Sequence, residues 1–573
     1  MGANGIYGLS GSGLDIESLV KMGMLNKQNQ YDKMYQNQLL QTWVKEAYNT
    51  VYTDVKAFKE SMSTFKMQSN MSAMQATSSN NDVVSVTANG AAAAMNHKIT
   101  VEQVASNAYL MTANGEKIDR ANTNATNSAY LSDVLYGSNV TTGSDSEGKT
   151  YTIDGTVYKG SDVAISIEVQ DGNDVDSDGN PVTHKVEFTY DQIFNDKKTL
   201  NDLASAFSNS GANIQGGYDT VNDSFSLYNK TSGSANQIGL QANNDISKKL
   251  LNSLHLASYD AQNNTLGTEA SFETGTMNVA ATGTNAKATI DGKTYESATN
   301  KLSVANVIYN FNGVSAKNAD GTYQASTISV SQDTDKIVDN VKKFVETYNT
   351  LIDSLNTKYR EEKNTDYKPL TKNQEAEMTE SQIDKWNEKA KSGLLYHDSN
   401  IYSIISDMRE ALYTKVDAVD SEYNSMSAIG ITSSTNQGHI TLDEDKLKAA
   451  LTADPDCVYQ LFASDQDSTY IAGSTNKNQA DTYTSKSDYL NTGIANRLYN
   501  AMTTNISTLE SYAGTSKETD DESYLGKLIT NMNTKMSSFQ TLMKSYESKL
   551  YEKYDAMEVA LSKLGTQLSY ITG

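Results

Sequence analysis

The apolar residues near both ends of the chain recur at alternating steps of three and four, the spacing of a helix that packs along one seam. Near the N-terminus this pattern predicts a helix over residues 14–68. Its seam consists of Tyr48, Val51, Val55, Phe58, Met62 and Phe65. The C-terminal seam is longer and consists of Leu525, Ile529, Met532, Met536, Phe539, Met543, Tyr546, Leu550, Tyr554, Met557, Leu561, Leu564, Leu568 and Ile571. A helix with one apolar seam needs a partner, which the N-terminal helix, other copies of the chain, or both could supply.

We predict that part of these two seams mediates self-association. The residues are Tyr48, Val51, Val55, Phe58, Met532, Met536, Phe539, Met543, Leu550, Met557, Leu561, Leu564 and Leu568. The extra step of four from Leu550 to Tyr554 is a stutter, which locally unwinds a supercoil. A lysine in place of Met536 or Leu561 would put a charge into the seam, and we therefore expect either substitution to weaken assembly.

The middle of the chain has a different period. A further seam predicts a third helix over 335–360, but the apolar residues in 163–169 and 186–190 alternate with small or polar ones. Alternation with a period of two is typical of strands. We therefore predict a β-rich insert over about 97–330 between the helical ends.

The insert contains an internal repeat. The sequence Thr-Ile-Asp-Gly occurs at 152–155 and again at 289–292, each time between extended residues. An Asp-Gly pair in this context predicts a type I′ hairpin turn. The repeat indicates two similar β units, with a short helix near 200–207. The chain is thus predicted to run helix, β-rich insert, helix, with the two ends together as a stalk and the β domains at its far end.

Composition and charge exclude several classes of partner. The chain has 573 residues and a formal net charge of −23, whereas nucleic acids and anionic membranes are bound through Lys and Arg. No apolar run approaches the roughly 18–20 residues that span a bilayer. The N-terminus lacks the basic start and apolar core of a secretory signal. Cys457 is the single cysteine, so no intrachain disulfide can form. These features fit the cytosol, or export by a route without a cleaved signal.

One acidic loop is a candidate metal site. Asp174, Asp176 and Asp178 alternate ahead of Gly179, and carboxylates at alternating positions before a glycine turn can wrap a hard cation. The twelfth position of an EF-hand loop requires Glu, but Lys185 stands there. Two interpretations remain open, a structural calcium site and a solvated hairpin loop.

No catalytic or cofactor-binding set stands out in the sequence. Cys457 follows acidic residues that would disfavour a thiolate, so we predict a structural cysteine. The glycines in 8–13 lack the strand and the Lys-Ser/Thr of a phosphate loop, and we predict a flexible leader there. The histidines, which are not at metal-ligand spacing, are His97, His184, His255, His397 and His439. We predict that the protein is not an enzyme and has no cofactor besides a possible structural calcium.

A series of short motifs carries a family resemblance. Residues 12–20 (SGLDIESLV) look like the opening of the flagellar hook-associated protein 2 family, the filament cap proteins. Residues 344–352 (FVETYNTLI) are similar to that family's F-V-x-x-Y-N-x-L-I. The segment 369–371 (PLT), with Trp386 and 390–395 (AKSGLL) downstream, resembles another of its runs. Each motif is weak alone, but they occur in family order.

The resemblance implies a fold class, α+β and multidomain. Terminal helices pair as a coiled-coil leg, an inner helical domain follows, and two β-rich domains form an inserted head. The predicted parts are 1–45 and 506–573 for the leg, 46–95 and 331–505 for the inner helical domain, and 96–330 for the head.

The resemblance also implies a function. Family members form a ring of about four to six copies at the distal end of the flagellar filament. The ring promotes flagellin folding and polymerisation and prevents loss of flagellin to the medium. Implied partners are the chain itself, flagellin, and the flagellar type III export apparatus with its chaperone. The implied location is extracellular, at the filament tip, without a cleaved signal peptide. The alternative is a surface adhesin that binds host glycans or mucin through the β head.

One position departs from the family pattern. Gly23 stands in the predicted first helix, where family members often continue with a basic and apolar run. A glycine inside a helix costs about 1 kcal/mol relative to alanine. We therefore expect a break or flexible joint in the leg at this position.

Overall fold

The computed structural model describes residues 15–146, 148–434, 437–464, 486–515 and 521–572, with side chains at the C-terminal end described to residue 569. The predicted leader at 8–13 and the first three residues of the opening motif lie outside these ranges, and the side chain of Ile571 lies beyond the described ones. Within the described ranges, every helix is too short or too polar for a transmembrane span.

The chain divides into a helical unit and a β-rich unit. The helical unit comprises the chain up to Ala73 and from Asp333 onward, and the β-rich unit comprises Met74–Gln332. The α+β multidomain prediction is confirmed. The predicted start of the β head at 96 is wrong, because residues from Met74 onward already pair with strands far along the chain. The finer boundaries at 45/46 and 505/506 each fall inside one continuous helix.

The long helices lie in the helical unit, which also contains several short ones, and the helices of the β-rich unit are all short. They are α1 (Ile16–Phe65), α2 (Gln68–Met71), α3 (Leu131–Leu135), α4 (Tyr190–Phe194), α5 (Leu200–Ser208), α6 (Asp245–Ser253), α7 (Thr334–Arg360), α8 (Lys372–Ala376), α9 (Glu380–Ala390), α10 (Ser399–Tyr413), α11 (Glu444–Ala453), α12 (Cys457–Ala463), α13 (Lys486–Asn491), α14 (Ile494–Ala513) and α15 (Tyr524–Thr572).

The strands are concentrated in the β-rich unit. They are β1 (Met74–Ser78), β2 (Val84–Ala88), β3 (Asn96–Gln103), β4 (Tyr109–Thr112), β5 (Val140–Asp145), β6 (Gly148–Ile153), β7 (Thr156–Lys159), β8 (Val163–Gln170), β9 (His184–Thr189), β10 (Ile214–Asp219), β11 (Ser224–Asn229), β12 (Gln237–Ala242), β13 (Leu256–Asp260), β14 (Thr265–Glu269), β15 (Asn278–Thr282), β16 (Ala286–Ile290), β17 (Lys293–Ser297), β18 (Lys301–Val304), β19 (Val307–Phe311), β20 (Ser326–Gln332), β21 (Ile431–Ser433) and β22 (Ile440–Leu442).

The three predicted long helices are confirmed as α1, α7 and α15. The first begins where Asp15 caps it, its carboxylate accepting a hydrogen bond of 3.0 Å from the backbone N–H of Ser18. Asp333 caps α7 in the same way, through Lys336 N–H. Side-chain acceptors at this position satisfy backbone donors that have no partner within the helix. At 49 residues, α15 is about 70 Å long.

The helical unit has one large apolar core. Buried faces of α1, α7, α10, α12 and α14 line it, and Phe344 lies at its centre, with its ring edge-on to Phe65 and Phe462. Cys457 is fully buried in this core, and burial raises its pKa to about 12. The predicted structural role of the thiol agrees with this position.

The β-rich unit contains two separate cores. One lies between the sheets β1-β20-β3-β16-β17 and β18-β19-β2. The other is lined by the sheets β10-β11-β4-β13-β14, β15-β12-β8-β9 and β5-β6-β7, together with α5 and α6. The prediction of two β domains in the insert agrees with this arrangement.

Both copies of the repeated Thr-Ile-Asp-Gly sequence form the predicted hairpin. In the first, Asp154 (φ +50°) and Gly155 (φ +83°) connect β6 to β7. In the second, Asp291 (φ +49°) and Gly292 (φ +82°) connect β16 to β17. Positive φ at both central residues is what a type I′ turn requires, and Asp and Gly tolerate it better than other residues.

Candidate functional site on the terminal helices

The two terminal helices pack against each other in antiparallel directions. Gln540 on α15 donates a hydrogen bond of 2.7 Å to the hydroxyl of Tyr31 on α1. Nearer the N-terminus, Ile16 and Val20 of α1 pack against Leu550 of α15. Residue numbers therefore increase along α1 in the direction in which they decrease along α15, as in an antiparallel pair. The partner that the C-terminal seam requires is supplied, over this stretch, by the chain's own N-terminal helix.

Gly23 fits closely into this pairing rather than interrupting it. The helix α1 continues through Gly23 without a break, so the predicted break or joint is wrong. A Cβ atom at this position would lie 2.8 Å from Cδ1 of Leu550. The glycine therefore gives room to a buried leucine of the opposite helix, a use of glycine that a single sequence cannot distinguish from a break.

The C-terminal seam divides into two parts. In the first, Met536 and Leu550 are each 8% exposed, and the seam residues between them are half-buried against α1 or partly exposed. The half-buried members of the predicted set are Met532, Phe539 and Met543. Lys27 of α1 also lies over the ring of Phe539, 5.7 Å from its centre. These seam residues are covered within one chain.

Beyond Tyr554 the seam is exposed. We call residues 557–568 the end segment; its apolar members are Met557, Val559, Leu561, Leu564 and Leu568. Leu561 is 42%, Leu564 60% and Leu568 64% exposed. Gly23 faces Leu550 in this antiparallel pair, and α1 begins at Ile16, about two helical turns before Gly23. The start of α1 is therefore opposite the beginning of the end segment, and the rest of the end segment extends past α1. Among the described residues of the predicted C-terminal set, the exposed apolar side chains are those of the end segment.

The predicted N-terminal seam residues lie in the interior of the same chain. Tyr48, Val51, Val55 and Phe58 are all buried in the core of the helical unit. The Tyr48 hydroxyl donates to the carboxylate of Asp398, and burial raises the pKa of Tyr48 well above its usual value. Because these side chains already have intrachain partners, the structure does not bring them to an interface between copies.

The segment that carries the downstream motifs packs on α1. Gln36 donates a hydrogen bond of 2.7 Å to the backbone carbonyl of Pro369. Lys391 lies 3.5 Å from Glu46 and over the ring of the buried Trp43. Trp386 donates through its indole N–H to the carbonyl of Lys368 at 2.7 Å. The motif around Trp386 therefore holds a surface loop of the helical unit in place, which is a structural role.

The acidic loop is closed by its own hydrogen bonds. Asp176 accepts backbone hydrogen bonds from Asp178 and Asn180, each of 2.9 Å, and these lower its pKa. Asp174 instead contacts His184, 3.0 Å away. Among the described residues, no three His, Cys, Asp or Glu side chains form a group that could hold a metal ion. The structure therefore does not assemble Asp174, Asp176 and Asp178 into a site, and calcium binding stays a prediction.

Sequence reasoning missed the contacts between histidines and carboxylates. His97 contacts Asp291 at 2.6 Å and His439 contacts Asp353 at 2.5 Å. His255 lies between Asp119 and Glu269. Burial lowers the pKa of His255, but the hydrogen bonds that its ring donates to the carboxylates of Glu269 and Asp119, together with their negative charges, raise it above its usual value. No sequence signal could have identified these pairs, because the partners are distant in the chain and share no motif. His397 packs instead on the rings of Tyr359 and Tyr396.

Comparison with known proteins decides the family. A model of the flagellar hook-associated protein 2 N-terminus matches residues 12–108, and a model of the C-terminus of the same protein matches residues 283–566. The chain belongs to the flagellar hook-associated protein 2 family. The resemblance noted in the sequence is thereby confirmed, and the stretch that neither model covers lies in the middle of the β-rich unit.

Individual members of the family are distant in sequence. Flagellar hook-associated protein 2 of Halalkalibacterium halodurans is 24% identical over 97% of this chain and 97% of its own length. The B-type protein of Pseudomonas aeruginosa is 32% identical over 32% of this chain and 33% of its length. A solved structure of the D1-D2-D3 domains of the flagellar cap protein FliD from Escherichia coli covers 85% of this chain and 99% of that one, at 22% identity and a TM-score of 0.47.

Proposed function

We propose that this protein caps the distal end of the bacterial flagellar filament. The observation that carries the proposal is membership of the hook-associated protein 2 family, with a relative that aligns over 97% of this chain and 97% of its own length. In this role a ring of copies promotes the folding and polymerisation of flagellin and prevents its loss to the medium. The work is mechanical, and it needs contacts with other molecules rather than an active site.

The end segment supports a role in assembly. Its leucines are exposed, although the same seam is covered by α1 closer to the helical core. Apolar side chains in a row on one helix face usually await a partner, because their exposure to water is unfavourable. We infer that the end segment packs against a further copy or against flagellin when the cap is in place. The copy number of about four to six remains an expectation from the family resemblance.

Export and location follow from the same proposal. A cap at the tip has to leave the cell, and we expect the chain to pass unfolded through the flagellar type III apparatus with its chaperone, without a cleaved signal peptide. Adhesion to host glycans or mucin stays a prediction, and it would need a sugar-binding site in the β-rich unit.

The proposal is tested by locating the protein on growing filaments. The gene would be deleted and replaced by a copy encoding an epitope inserted in the exposed turn at Val221, and bound antibody would be imaged by electron microscopy. One cluster of label at the free end of each filament is the expected result. Label spread along filaments, or confined to the cell body or hook, would contradict the proposal. Motility of the tagged strain is the control that the epitope does not disturb function.

A further inference from the structure

Three loops of the β-rich unit contain an Asn-Gly pair, the dipeptide at which asparagine loses its side-chain ammonia most readily. Each loop follows a strand, and the pairs are Asn89-Gly90, Asn114-Gly115 and Asn312-Gly313. A fourth pair, Asn4-Gly5, lies outside the described residues. Because glycine has no side chain, its backbone nitrogen can approach the amide carbon of the preceding asparagine closely. Since all three pairs share this local chemistry, their surroundings decide how readily each one reacts.

The pair at 312–313 is held by hydrogen bonds. The N–H of Gly313 donates to the carbonyl of Val83 at 3.2 Å, and the side-chain amide of Asn312 donates to the carbonyl of Asn81 at 2.7 Å. The backbone is also crowded, because a Cβ atom on Gly313 would lie 2.9 Å from the carbonyl oxygen of Asp82. The Gly313 nitrogen therefore cannot reach the Asn312 side chain without breaking these contacts.

The pair at 89–90 stands in the same four-residue sequence as the pair at 114–115, Thr-Ala-Asn-Gly, but it is also held. The side-chain oxygen of Asn89 accepts a hydrogen bond of 3.3 Å from the N–H of Ala91, and the Asn89 backbone N–H donates to the carbonyl of Asn306 at 2.8 Å. Gly90 is buried, so water has little access to its N–H. Reaction at Asn89 therefore requires the loop to open first.

The pair at 114–115 is free of these restraints. Asn114 and Gly115 are both exposed, and a Cβ atom on Gly115 would have no neighbour within 4 Å. Gly115 has a φ of +87°, which glycine adopts without strain. The turn is closed by a backbone hydrogen bond of 3.1 Å from Glu116 to Ala113, which uses neither residue of the pair. Within the described part of the chain, neither the Asn114 side chain nor the Gly115 N–H makes a hydrogen bond.

We propose that Asn114 is a site of spontaneous deamidation in the folded protein. The Gly115 nitrogen gives its proton to solvent and forms a bond to Cγ of Asn114, and the side-chain nitrogen takes up a proton and leaves as ammonia. Water then opens the five-membered succinimide at either of its carbonyls, which yields aspartate or isoaspartate. The reaction consumes one water molecule and needs no enzyme, oxidant or cofactor.

The reaction leaves a permanent mark on the β-rich unit. Either product adds one negative charge, and isoaspartate also adds one atom to the backbone. The added atom falls between Ala113, whose N–H donates to the carbonyl of His255 at 2.8 Å, and Ile118, whose side chain is buried. The proposal does not depend on the cap function, and its failure would leave that function unchanged.

The test is peptide mapping by mass spectrometry of the full chain, incubated either folded or unfolded in guanidinium chloride at the same pH. Unfolded, the three asparagines should react at similar rates. Folding should slow Asn89 and Asn312 at least about tenfold, because their hydrogen bonds have to break before the ring can close. Folding should slow Asn114 less than about threefold, because no such bond has to break. The rate at Asn114 should rise with pH, since the attacking nitrogen has to lose its proton.

Two variants serve as controls. Asn114→Gln keeps an exposed amide, but its longer side chain closes a six-membered ring far more slowly, so its peptide should stay unmodified. Asn312→Gln should leave the rate at Asn114 unchanged. Slowing of all three asparagines to the same extent by folding would overturn the proposal. So would a rate at Asn114 that does not change with pH, or aspartate without isoaspartate at this position, because both indicate a route without the succinimide.

Discussion

A lysine in the end segment should weaken assembly without unfolding the chain. A lysine closer to the helical core should instead disrupt the packing of α15 on α1 within one chain. The sequence pattern predicts the same outcome for both positions, because both lie in one seam. The structure separates them: Leu564 is 60% exposed and Met536 is 8% exposed against α1. Leu564→Lys and Met536→Lys therefore test whether the exposed part of the seam is the part that other molecules use.

The magnitude follows from the exposed fractions. Full burial of a leucine side chain contributes about 2 kcal/mol. Because Leu561 and Leu564 are 42% and 60% exposed, burying their exposed parts on assembly would contribute about 2 kcal/mol in total. Leu564→Lys removes about 1 kcal/mol of this gain and adds the cost of burying an ammonium group, which is several kcal/mol. The association constant should fall at least tenfold. Stability of the single chain should change by less than about 0.5 kcal/mol, as for other exposed positions.

Sedimentation velocity over a concentration series measures the association, and hydrogen exchange over α1 and α15 measures the pairing of the helices. Ser562→Lys is the matched control, because it adds the same charge at an exposed position off the seam. Equal association of the Leu564→Lys and Ser562→Lys variants would refute the reasoning. Unchanged hydrogen-exchange protection in Met536→Lys would refute the assignment of that residue to the intrachain contact.

Three further substitutions test individual contacts. Gly23→Ala should keep or raise the hydrogen-exchange protection of residues 16–30, because alanine gains about 1 kcal/mol of helix propensity and its methyl group meets only the flexible end of Leu550. Gly23→Val should lower this protection. Equal protection in the two variants would count against the close approach of Gly23 to Leu550. His255→Gln should lower the unfolding temperature most at about pH 5, and the deficit should fade as pH rises above about 7. The pKa of His255 is raised in the folded chain, so its protonated form adds stability below the unfolded-state pKa, and this stability is lost as pH rises through the folded-state pKa. A deficit independent of pH would contradict the ion pair. Asp407→Asn should raise the unfolding temperature at pH 7. Burial raises the pKa of the Asp407 carboxyl, so keeping it ionised in the folded chain costs stability at any pH above its unfolded-state pKa. The gain should shrink as pH falls toward about 4, and a constant gain would point to another cause.

Helix positions were predictable because a buried face imposes its period on the sequence. The seams of α1, α7 and α15 predicted most of the ends of these three helices to within a few residues. The period does not show which molecule covers a seam. Tyr48 and Leu564 occupy equivalent seam positions, yet one lies in the core of the chain and the other is exposed. That difference depends on where the opposite helix ends, which is a property of the folded chain.

The start of the β-rich unit was missed for a related reason. Strand β1 pairs Met74 with Gln332, and β2 pairs Val84 with Phe311. Short strands whose partners lie so far along the chain leave little local pattern. The Asp-Gly turns were predictable, in contrast, because both strands of each hairpin flank the turn.

The central claim is that this protein caps the flagellar filament, and the most direct test is deletion of its gene in the bacterium that carries it. Flagellin would then be measured in attached filaments and in the culture medium, with a complemented strain as control. We predict cells with hooks but without filaments, and monomeric flagellin in the medium, both restored by the intact gene. Filaments of normal length with no flagellin released would contradict the cap function.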